Sequence, residues 1–193
     1  MSWSQSRRLC IVAMTAVLLV TGSAASYAKD AYTIDAGHSF VTFRVNHLGI
    51  GQAHGRFNEM AGDFELDADK LASVNFTIQT GSVDTADEKR DGHLKSPDFF
   101  NAKQFPVIQF KSKSVMAHGD HYEVSGDMKM LGVTKPMTMK VRKIGEGKDP
   151  WGNYRSGWQS EFMVKRSEFG MKFMLEGLSD EVAVMVAVEG IKK

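Results

Sequence analysis

Cysteine is almost absent from this chain of 193 residues, because Cys10 is the only one. Cys10 lies in a leader-like segment, so the mature chain has no disulfide and no thiolate chemistry. Neither sign of charge dominates, since 24 basic residues stand against 23 acidic ones. There is no basic stripe and no polybasic amphipathic helix. We therefore expect neither nucleic-acid binding nor stable insertion of the mature chain into a membrane.

The common catalytic and cofactor motifs are also missing. The sequence contains no nucleophile elbow of the form G-x-S-x-G, no H-E-x-x-H and no P-loop. Gly49-Ile-Gly51 begins like a dinucleotide-binding loop, but its third glycine falls one place late at Gly55 and no helix is expected after it. His118 and His121 flank a turn and are better explained as exposed polar residues than as metal ligands. We expect no enzyme activity, no cofactor and no metal.

The first 28 residues have the layout of a cleavable signal peptide. Two arginines precede the apolar run Leu9–Val20, and small residues follow it up to Ala28. An apolar run of 12 residues is too short to span about 30 Å of hydrocarbon as a helix. We expect residues 1–28 to be removed on export, which leaves residues 29–193 as a single domain.

After this leader, apolar and polar residues alternate in short runs through to the C-terminus. In the clearest run, Ser39–His47, the side chains of Val41, Phe43 and Val45 share one face. A period of two is typical of a strand with one dry face and one wet face. At least seven more such runs follow, at a spacing that suits either a β-sandwich or an up-and-down barrel.

Turn residues separate these predicted strands, and one predicted helical segment interrupts them. The runs Gln52–Asn58 and Ala61–Asp67 look like a hairpin, and Gly119-Asp120 suits a tight hairpin turn. The segment Thr85–Glu88 has the form of a capping box, which predicts a short helix to about Leu94 and then a helical turn, together near residues 85–102. That turn carries Phe99 and Phe100. They either line the mouth of a barrel or simply plug one end of its core.

Phenylalanine and methionine are concentrated in the predicted strands. All 12 phenylalanines and 10 of the 12 methionines follow residue 28. They are either the ordinary core of a domain or the wall of an apolar cavity, in which methionine adapts to flexible ligands. A closed sheet of about eight strands encloses just enough space for side chains or one small ligand.

From about Ala31 to Glu189 the chain resembles the YceI family. The matching residues, in order, are Tyr32–Asp35, His38-Ser39, Phe43, Val45, His47, Gly49, Gly55–Phe57, Gly62, Ser82–Thr85, Asp91–Ser96, Asp98–Phe100, Phe105-Pro106, Phe110, Gly126, Met128, Leu131–Pro136 and Arg166–Gly170. Each motif is short, and it is the ordered series that makes the resemblance specific.

The resemblance implies an all-β fold: one antiparallel lipocalin-like β-barrel of about eight strands. It also implies export to the periplasm and an interior that holds a polyisoprenoid, an isoprenoid quinone or a similar lipid. No catalytic set is transferred with it, and a homodimer stays open. The candidate ligand-binding residues of the interior and mouth are Phe43, Val45, His47, Phe57, Phe64, Phe76, Ile78, His93, Leu94, Phe99, Phe100, Phe110, Met128, Met130, Trp158, Phe162, Arg166 and Phe169.

Two other functions remain open on the sequence. The chain could be an enzyme acting on an isoprenoid or another lipid, with Asp91 and His93 as an acid–base pair; without an identified nucleophile, a structural hydrogen bond explains these two residues better. It could also be a periplasmic stress-response protein whose cavity is incidental. For a lipid headgroup, the polar candidates by residue type are His47, Asp91, His93 and Arg166.

Overall fold

The computed structural model describes residues 29–193, so the predicted signal peptide lies outside the described residues. This part of the chain contains eleven strands, one short α-helix and three short 3-10 helices. The strands are β1 (Asp30–Ile34), β2 (Phe40–His47), β3 (Gly51–Phe57), β4 (Met60–Asp67), β5 (Lys70–Gln79), β6 (Val83–Asp84), β7 (Val107–His118), β8 (His121–Met130), β9 (Val133–Lys148), β10 (Tyr154–Lys165) and β11 (Leu178–Lys192). The helix is α1 (Glu88–Leu94), and the 3-10 helices are Ala36–His38, Thr80–Ser82 and Arg166–Phe169. Within residues 29–193 no helix combines the length and the apolar character needed to cross a bilayer.

The strands form one closed antiparallel barrel. Around the barrel they follow the order β1/β2, β3/β4, β5/β6, β7, β8, β9, β10 and β11, which makes eight strand lines. The last strand closes the ring, because β11 pairs with β2 as far as Ala187 and with β1 from Gly190 onward. The predicted lipocalin-like barrel of about eight strands is therefore confirmed, and the sandwich alternative is excluded.

Three of the eight barrel positions are occupied by two consecutive strands with a short break between them: β1/β2, β3/β4 and β5/β6. The three breaks lie at about the same level along the barrel axis. The breaks bond to one another: the N–H of Asn58 donates to the carbonyl of Ser82 at 3.0 Å, and the N–H of Gln79 donates to the carbonyl of Glu59 at 3.0 Å. The backbone groups that leave the regular ladder are thus paired rather than left unsatisfied. The breaks let each long strand bend as the sheet curls round the interior.

The predicted hairpin of Gln52–Asn58 with Ala61–Asp67 is wrong. These segments are β3 and β4, and they run in the same line instead of pairing with each other: β3 pairs with β2 and β6, whereas β4 pairs with β1 and β5. Alternation reveals that a segment is a strand, but it does not reveal whether the chain reverses between two strands.

The predicted hairpin at Gly119-Asp120 is confirmed. β7 and β8 pair with His118 opposite His121, and Gly119 has a φ of +60°, which glycine adopts without strain. The helix predicted from Thr85–Glu88 is present, but its first residue is Glu88. The side chain of Asp87 caps it by accepting from the N–H of Arg90 at 2.9 Å.

The two ends of the barrel differ. At one end lie the β2–β3 and β8–β9 turns, the connection from β6 to β7 that contains α1, and the connection from β10 to β11. We call this end the mouth. At the opposite end lie the β4–β5, β7–β8 and β9–β10 connections. The buried apolar side chains fill the interior between the two ends.

Candidate functional site

An apolar cavity of about 120 Å³ lies inside the mouth end of the barrel. We call it the mouth cavity. It is lined by Val41, Phe43, Val45, Phe57, Phe76, Ile78, Leu94, Phe99, Phe100, Ile108, Met128, Met130, Phe162, Val164, Arg166, Met171, Leu178, Val182, Val184 and Val186. Every lining side chain is apolar except that of Arg166. A surface of this kind binds a ligand by removing apolar area from water rather than by polar contacts.

Strand alternation places most of this wall. Val41, Phe43 and Val45 are alternate residues of β2, so they project to the same side of the sheet, and this side is the interior. The same period brings Phe76 and Ile78 of β5 into the cavity. The sequence-based prediction that these apolar faces point inward is correct for both strands.

The connection between β6 and β7 covers the cavity. We call residues 88–105 the cap segment; it comprises α1 and the turn that follows. Three of its side chains, Leu94, Phe99 and Phe100, line the cavity. The segment is anchored at its C-terminal end, where the buried hydroxyl of Thr80 donates to the carbonyl of Phe105 at 2.8 Å.

A second segment closes the mouth from the other side. We call residues 166–178 the mouth loop, and Arg166 organises it. The Arg166 side chain is 3 % exposed, and it donates only to backbone carbonyls. Nε donates to Ser179 at 3.0 Å, Nη1 to Met171 at 3.1 Å and to Phe173 at 2.8 Å, and Nη2 to Leu178 at 2.8 Å.

The charge of Arg166 is only weakly compensated. Burial lowers the pKa of its guanidinium, and the nearby Asp180 carboxylate opposes that change. Asp180 itself accepts from the N–H and the hydroxyl of Ser167, at 2.8 and 2.7 Å, and these hydrogen bonds lower the pKa of Asp180. Within residues 29–193, Arg166 therefore places a positive charge at the wall of the mouth cavity without a contacting carboxylate.

The cap segment and the mouth loop meet in an aromatic cluster. The rings of His93, Phe99 and Phe173 pack edge to face, with centroid distances of 5.0 to 5.3 Å. His93 Nε2 also lies 2.8 Å from a carboxylate oxygen of Asp98, within the cap segment. His93 thus joins the two covering segments from outside the cavity.

A second apolar cavity, of about 40 Å³, lies deeper in the barrel. We call it the distal cavity. Its lining residues are Ile34, Phe64, Leu71, Val74, Phe76, Val124, Met139, Val141, Trp158, Gln159, Ser160, Phe162, Val186 and Val188. The polar groups nearby are already paired: Trp158 donates to Ser156 at 2.9 Å, and the Ser160 hydroxyl donates to the carbonyl of Lys140 at 2.8 Å.

The structure places most of the 18 candidate residues at one of these cavities. Twelve line the mouth cavity: Phe43, Val45, Phe57, Phe76, Ile78, Leu94, Phe99, Phe100, Met128, Met130, Phe162 and Arg166. Phe64 and Trp158 line the distal cavity.

The remaining four candidates line neither cavity. His47 and His93 are exposed at the mouth: His47 is the last residue of β2, and His93 lies in α1. Phe110 and Phe169 are buried, but they pack against neighbouring side chains instead of facing free space. These four residues lie outside the walls of the two cavities, and a contact between them and a ligand stays a prediction.

Eight residues of the mouth cavity, almost all of them aliphatic, were not among the candidate residues, although Val41 was already placed on the same face as Phe43 and Val45. They are Val41, Ile108, Val164, Met171, Leu178, Val182, Val184 and Val186. A usable signal existed for β11, where Val182, Val184, Val186 and Val188 alternate.

The other chemistry-bearing candidates are kept apart. Asp91 accepts from the backbone N–H of Thr85 at 2.9 Å, whereas His93 contacts Asp98, so Asp91 and His93 do not pair with each other. The rings of His118 and His121 stack 5.6 Å apart at the other end of the barrel. No group of three or more metal-binding side chains is found in residues 29–193.

Comparisons with known proteins agree with one another. A family model described as "YceI-like domain" matches residues 32–190. A UPF0312 protein of Pseudomonas aeruginosa strain LESB58 is 41 % identical over 194 residues, covering 97 % of this chain and 98 % of that protein. Protein YceI of Escherichia coli O157:H7 is 39 % identical over 187 residues, covering 95 % and 97 %. A solved structure from Saccharophagus degradans, described as a polyisoprenoid binding domain, superposes with a TM-score of 0.66 at 17 % identity, covering 84 % of this chain and 98 % of that one.

Proposed function

Because the chain belongs to the YceI-like domain family, we propose that it carries or stores a long apolar lipid inside its barrel without converting it chemically. A polyisoprenoid or an isoprenoid quinone is the ligand class that fits best. The observation that carries this proposal is the wall of the mouth cavity, in which 19 of the 20 lining side chains are apolar. The description of the Saccharophagus degradans domain as polyisoprenoid-binding supports the same ligand class.

The expected affinity comes from burying the chain of the lipid. Each buried CH₂ group contributes about 0.8 kcal/mol, so one five-carbon isoprene unit contributes on the order of 4 kcal/mol before ordering costs. A branched, flexible isoprenoid also suits a wall that contains methionine, because Met128, Met130 and Met171 can change rotamer at low cost.

The cavity has to widen for a long ligand. A volume of about 120 Å³ is close to that of an apolar cavity that holds one benzene molecule, about 150 Å³. The cap segment and the mouth loop are the parts that can yield, because they reach across the mouth without belonging to the barrel sheet. Loading therefore involves displacement of cap side chains such as Phe99 and Phe100.

The polar end of the lipid is oriented toward the mouth in this proposal. Arg166 supplies the only charged group of the cavity wall, and its positive charge favours an oxygen-bearing or anionic end over an alkyl end. His47 and His93 are exposed nearby on the rim. The isoprenoid tail then points down the barrel axis.

Organic extraction of protein purified from its native compartment tests the proposal. Mass spectrometry of the extract should find an isoprenoid lipid at close to one molecule per chain. The same lipid incubated with the protein should be recovered unchanged. Its turnover would favour the enzyme alternative, and an extract without a stoichiometric lipid would favour the protein with an incidental cavity.

We also propose that the chain acts in the periplasm after removal of residues 1–28. N-terminal sequencing of protein from the periplasmic fraction should begin at or near Lys29. A chain that retains Leu9–Val20 and sediments with membranes would contradict export with cleavage. The leader pattern described above is the support for this proposal.

A further inference from the structure

The mouth and distal cavities are separated by one layer of side chains. Three residues line both cavities: Phe76, Phe162 and Val186. We call them the partition. Every other lining residue belongs to only one of the two cavities.

The register of the strands shows that the partition is a true cross-section of the barrel. On β5, Val74 lines only the distal cavity, Phe76 lines both, and Ile78 lines only the mouth cavity. These are successive inward positions, so the change from one cavity to the other occurs at a single residue.

The other two strands of the partition behave in the same way. On β10, Ser160 lines the distal cavity and Val164 the mouth cavity, with Phe162 between them. On β11, Val188 lines the distal cavity and Val184 the mouth cavity, with Val186 between them. Phe162 and Val186 lie close together, since Phe162 is paired with Val184 across β10 and β11.

The two aromatic members of the partition are not held equally. Phe76 is 6 % exposed and stacks on Phe110, with ring centroids 5.5 Å apart and planes at 25°. Phe162 is only half-buried, and it takes part in none of the ring–ring contacts found in residues 29–193. Phe162 is therefore the aromatic side chain of the partition whose replacement breaks no aromatic stack.

We infer that the partition sets how much of an isoprenoid chain the barrel accepts, and that the distal cavity takes the far end of a longer chain once the Phe162 side chain is replaced by a smaller one. This inference rests on the proposed function, because it assigns a length limit to the same ligand. The polar groups around the distal cavity already have hydrogen-bond partners, so it accepts an alkyl end without leaving a donor unpaired. Phe162 acts as the length-determining residue.

Titration of the delipidated protein with linear prenols of two, three, four and five isoprene units tests this inference. In the natural protein, affinity for the prenol should rise with the first isoprene units. It should then change less than about twofold per unit, because further units stay on the mouth side of the partition. In Phe162→Ala the rise should continue for at least one more unit, by about tenfold or more. Phe162→Leu should shift the length limit in the same direction with less disturbance of the fold.

Phe43→Ala is the matched control. Phe43 is also a half-buried phenylalanine of an inward strand position, but it lines the mouth cavity and not the distal one. This variant should change the affinity for all prenols by a similar factor and leave the length limit in place.

Three results would overturn the inference. If affinity in the natural protein rises through all five units, or if neither Phe162 variant moves the limit while prenols still bind, the partition does not determine length, although the proposed function stands. If the natural protein binds no prenol at all, the proposed function fails and the inference fails with it.

Discussion

Several phenylalanine rings lie where a neighbouring strand carries glycine. A Cβ placed on Gly126 would lie 2.7 Å from Cζ of Phe110 and 2.8 Å from Cα of Ser112, and it would collide with the carbonyl oxygen of Lys111. Glycine at this inward position of β8 leaves room for the ring of Phe110, on which Phe76 stacks. Protein interiors are closely packed, so an added methyl group at this position has no free space to occupy.

Replacement of Gly126 by alanine should therefore destabilise the barrel. We expect a loss of about 1–3 kcal/mol in the free energy of unfolding, because the clash involves backbone atoms that cannot move aside. Gly51→Ala is the control, since a Cβ there meets nothing within 4 Å. Urea unfolding of both variants measures the difference. Equal stabilities would show that the sheet adjusts around Gly126.

At the scale of elements, the mouth loop depends on a buried cation in addition to its few buried apolar side chains. Arg166 donates to four backbone carbonyls of the loop and the adjoining strand, and three side chains of the loop, Phe173, Met174 and Leu175, are at least 40 % exposed. A hydrogen bond from a charged donor contributes about 1.5–3 kcal/mol. Removal of the guanidinium takes this donor away from four carbonyls in part-buried or buried hydrogen bonds.

Arg166→Met should lower the free energy of unfolding by at least about 3 kcal/mol and make the mouth loop sensitive to proteases. Arg44→Met is the control, because Arg44 is exposed and, within residues 29–193, its side chain forms a single hydrogen bond, to Gln52 at 3.5 Å. Urea unfolding and limited proteolysis give the two measurements. Resistance of the Arg166→Met loop to cleavage would contradict this account.

An ion pair of Arg155 on β10 connects this strand to the break between β1 and β2. Arg155 Nη1 donates to Asp35 at 2.7 Å, and its Nε donates to Asp149 at 2.7 Å. Hydrogen bonds from Arg155 and then from His38 lower the pKa of Asp35 to about 2. The pKa of Asp149 is lowered by the same arginine.

The lowered pKa of Asp35 makes the stability of the fold depend on pH. A carboxyl group with a lowered pKa in the folded state stabilises the fold above its unfolded pKa of 3.8, and this stabilisation is lost as the pH falls toward 2. Asp35→Asn should reduce stability above pH 4 by on the order of 1 kcal/mol and flatten its decline between pH 4 and 2.

Urea unfolding at several pH values between 5 and 2 checks this prediction. Asp67→Asn is a suitable control, because Asp67 is exposed and has no side-chain hydrogen bond within residues 29–193. A stability profile of Asp35→Asn parallel to that of the natural protein would mean that Asp35 is not the titrating group.

At the scale of the whole molecule, the ligand should contribute to the stability of the barrel. A lipid that binds only the folded state adds RT ln(1 + [L]/Kd), which is about 2.7 kcal/mol at a hundredfold excess over Kd. For a domain of this size that corresponds to a melting temperature higher by about 5–10 °C. Delipidated protein should therefore melt lower than protein to which a prenol has been restored, and equal melting curves at saturating prenol would argue against an interior site.

The fold was predictable to the extent that it depends on local pattern. Alternation in β2 and β5 identified strands and their dry faces, and Gly119-Asp120 identified a hairpin. The pairing of β3 with β4 was predicted wrongly, because the two-residue break at Asn58-Glu59 carries no signal that distinguishes a reversal from a bend. Which strand lies beside which depends on contacts that are distant in the sequence.

The site was predictable in part for the same reason. Inward-facing apolar residues were recognised by residue type and spacing, and 12 of the 18 candidate residues line the mouth cavity. Phe110 and Phe169 show the limit of this reasoning, because an inward direction does not reveal whether a side chain meets a neighbour or free space. The buried hydrogen bonds of Arg166 also gave no sequence signal, since they go to backbone carbonyls.

The sequence by itself determined that the domain is an antiparallel sheet with one dry face, because the period of two is a property of the strand and needs no partner. Only the tertiary structure decided that this dry face encloses two cavities separated at Phe76, Phe162 and Val186. These residues lie on β5, β10 and β11, and closure of the barrel brings them to the same height. Free space inside a protein is what remains after all side chains have packed, so it depends on every strand at once.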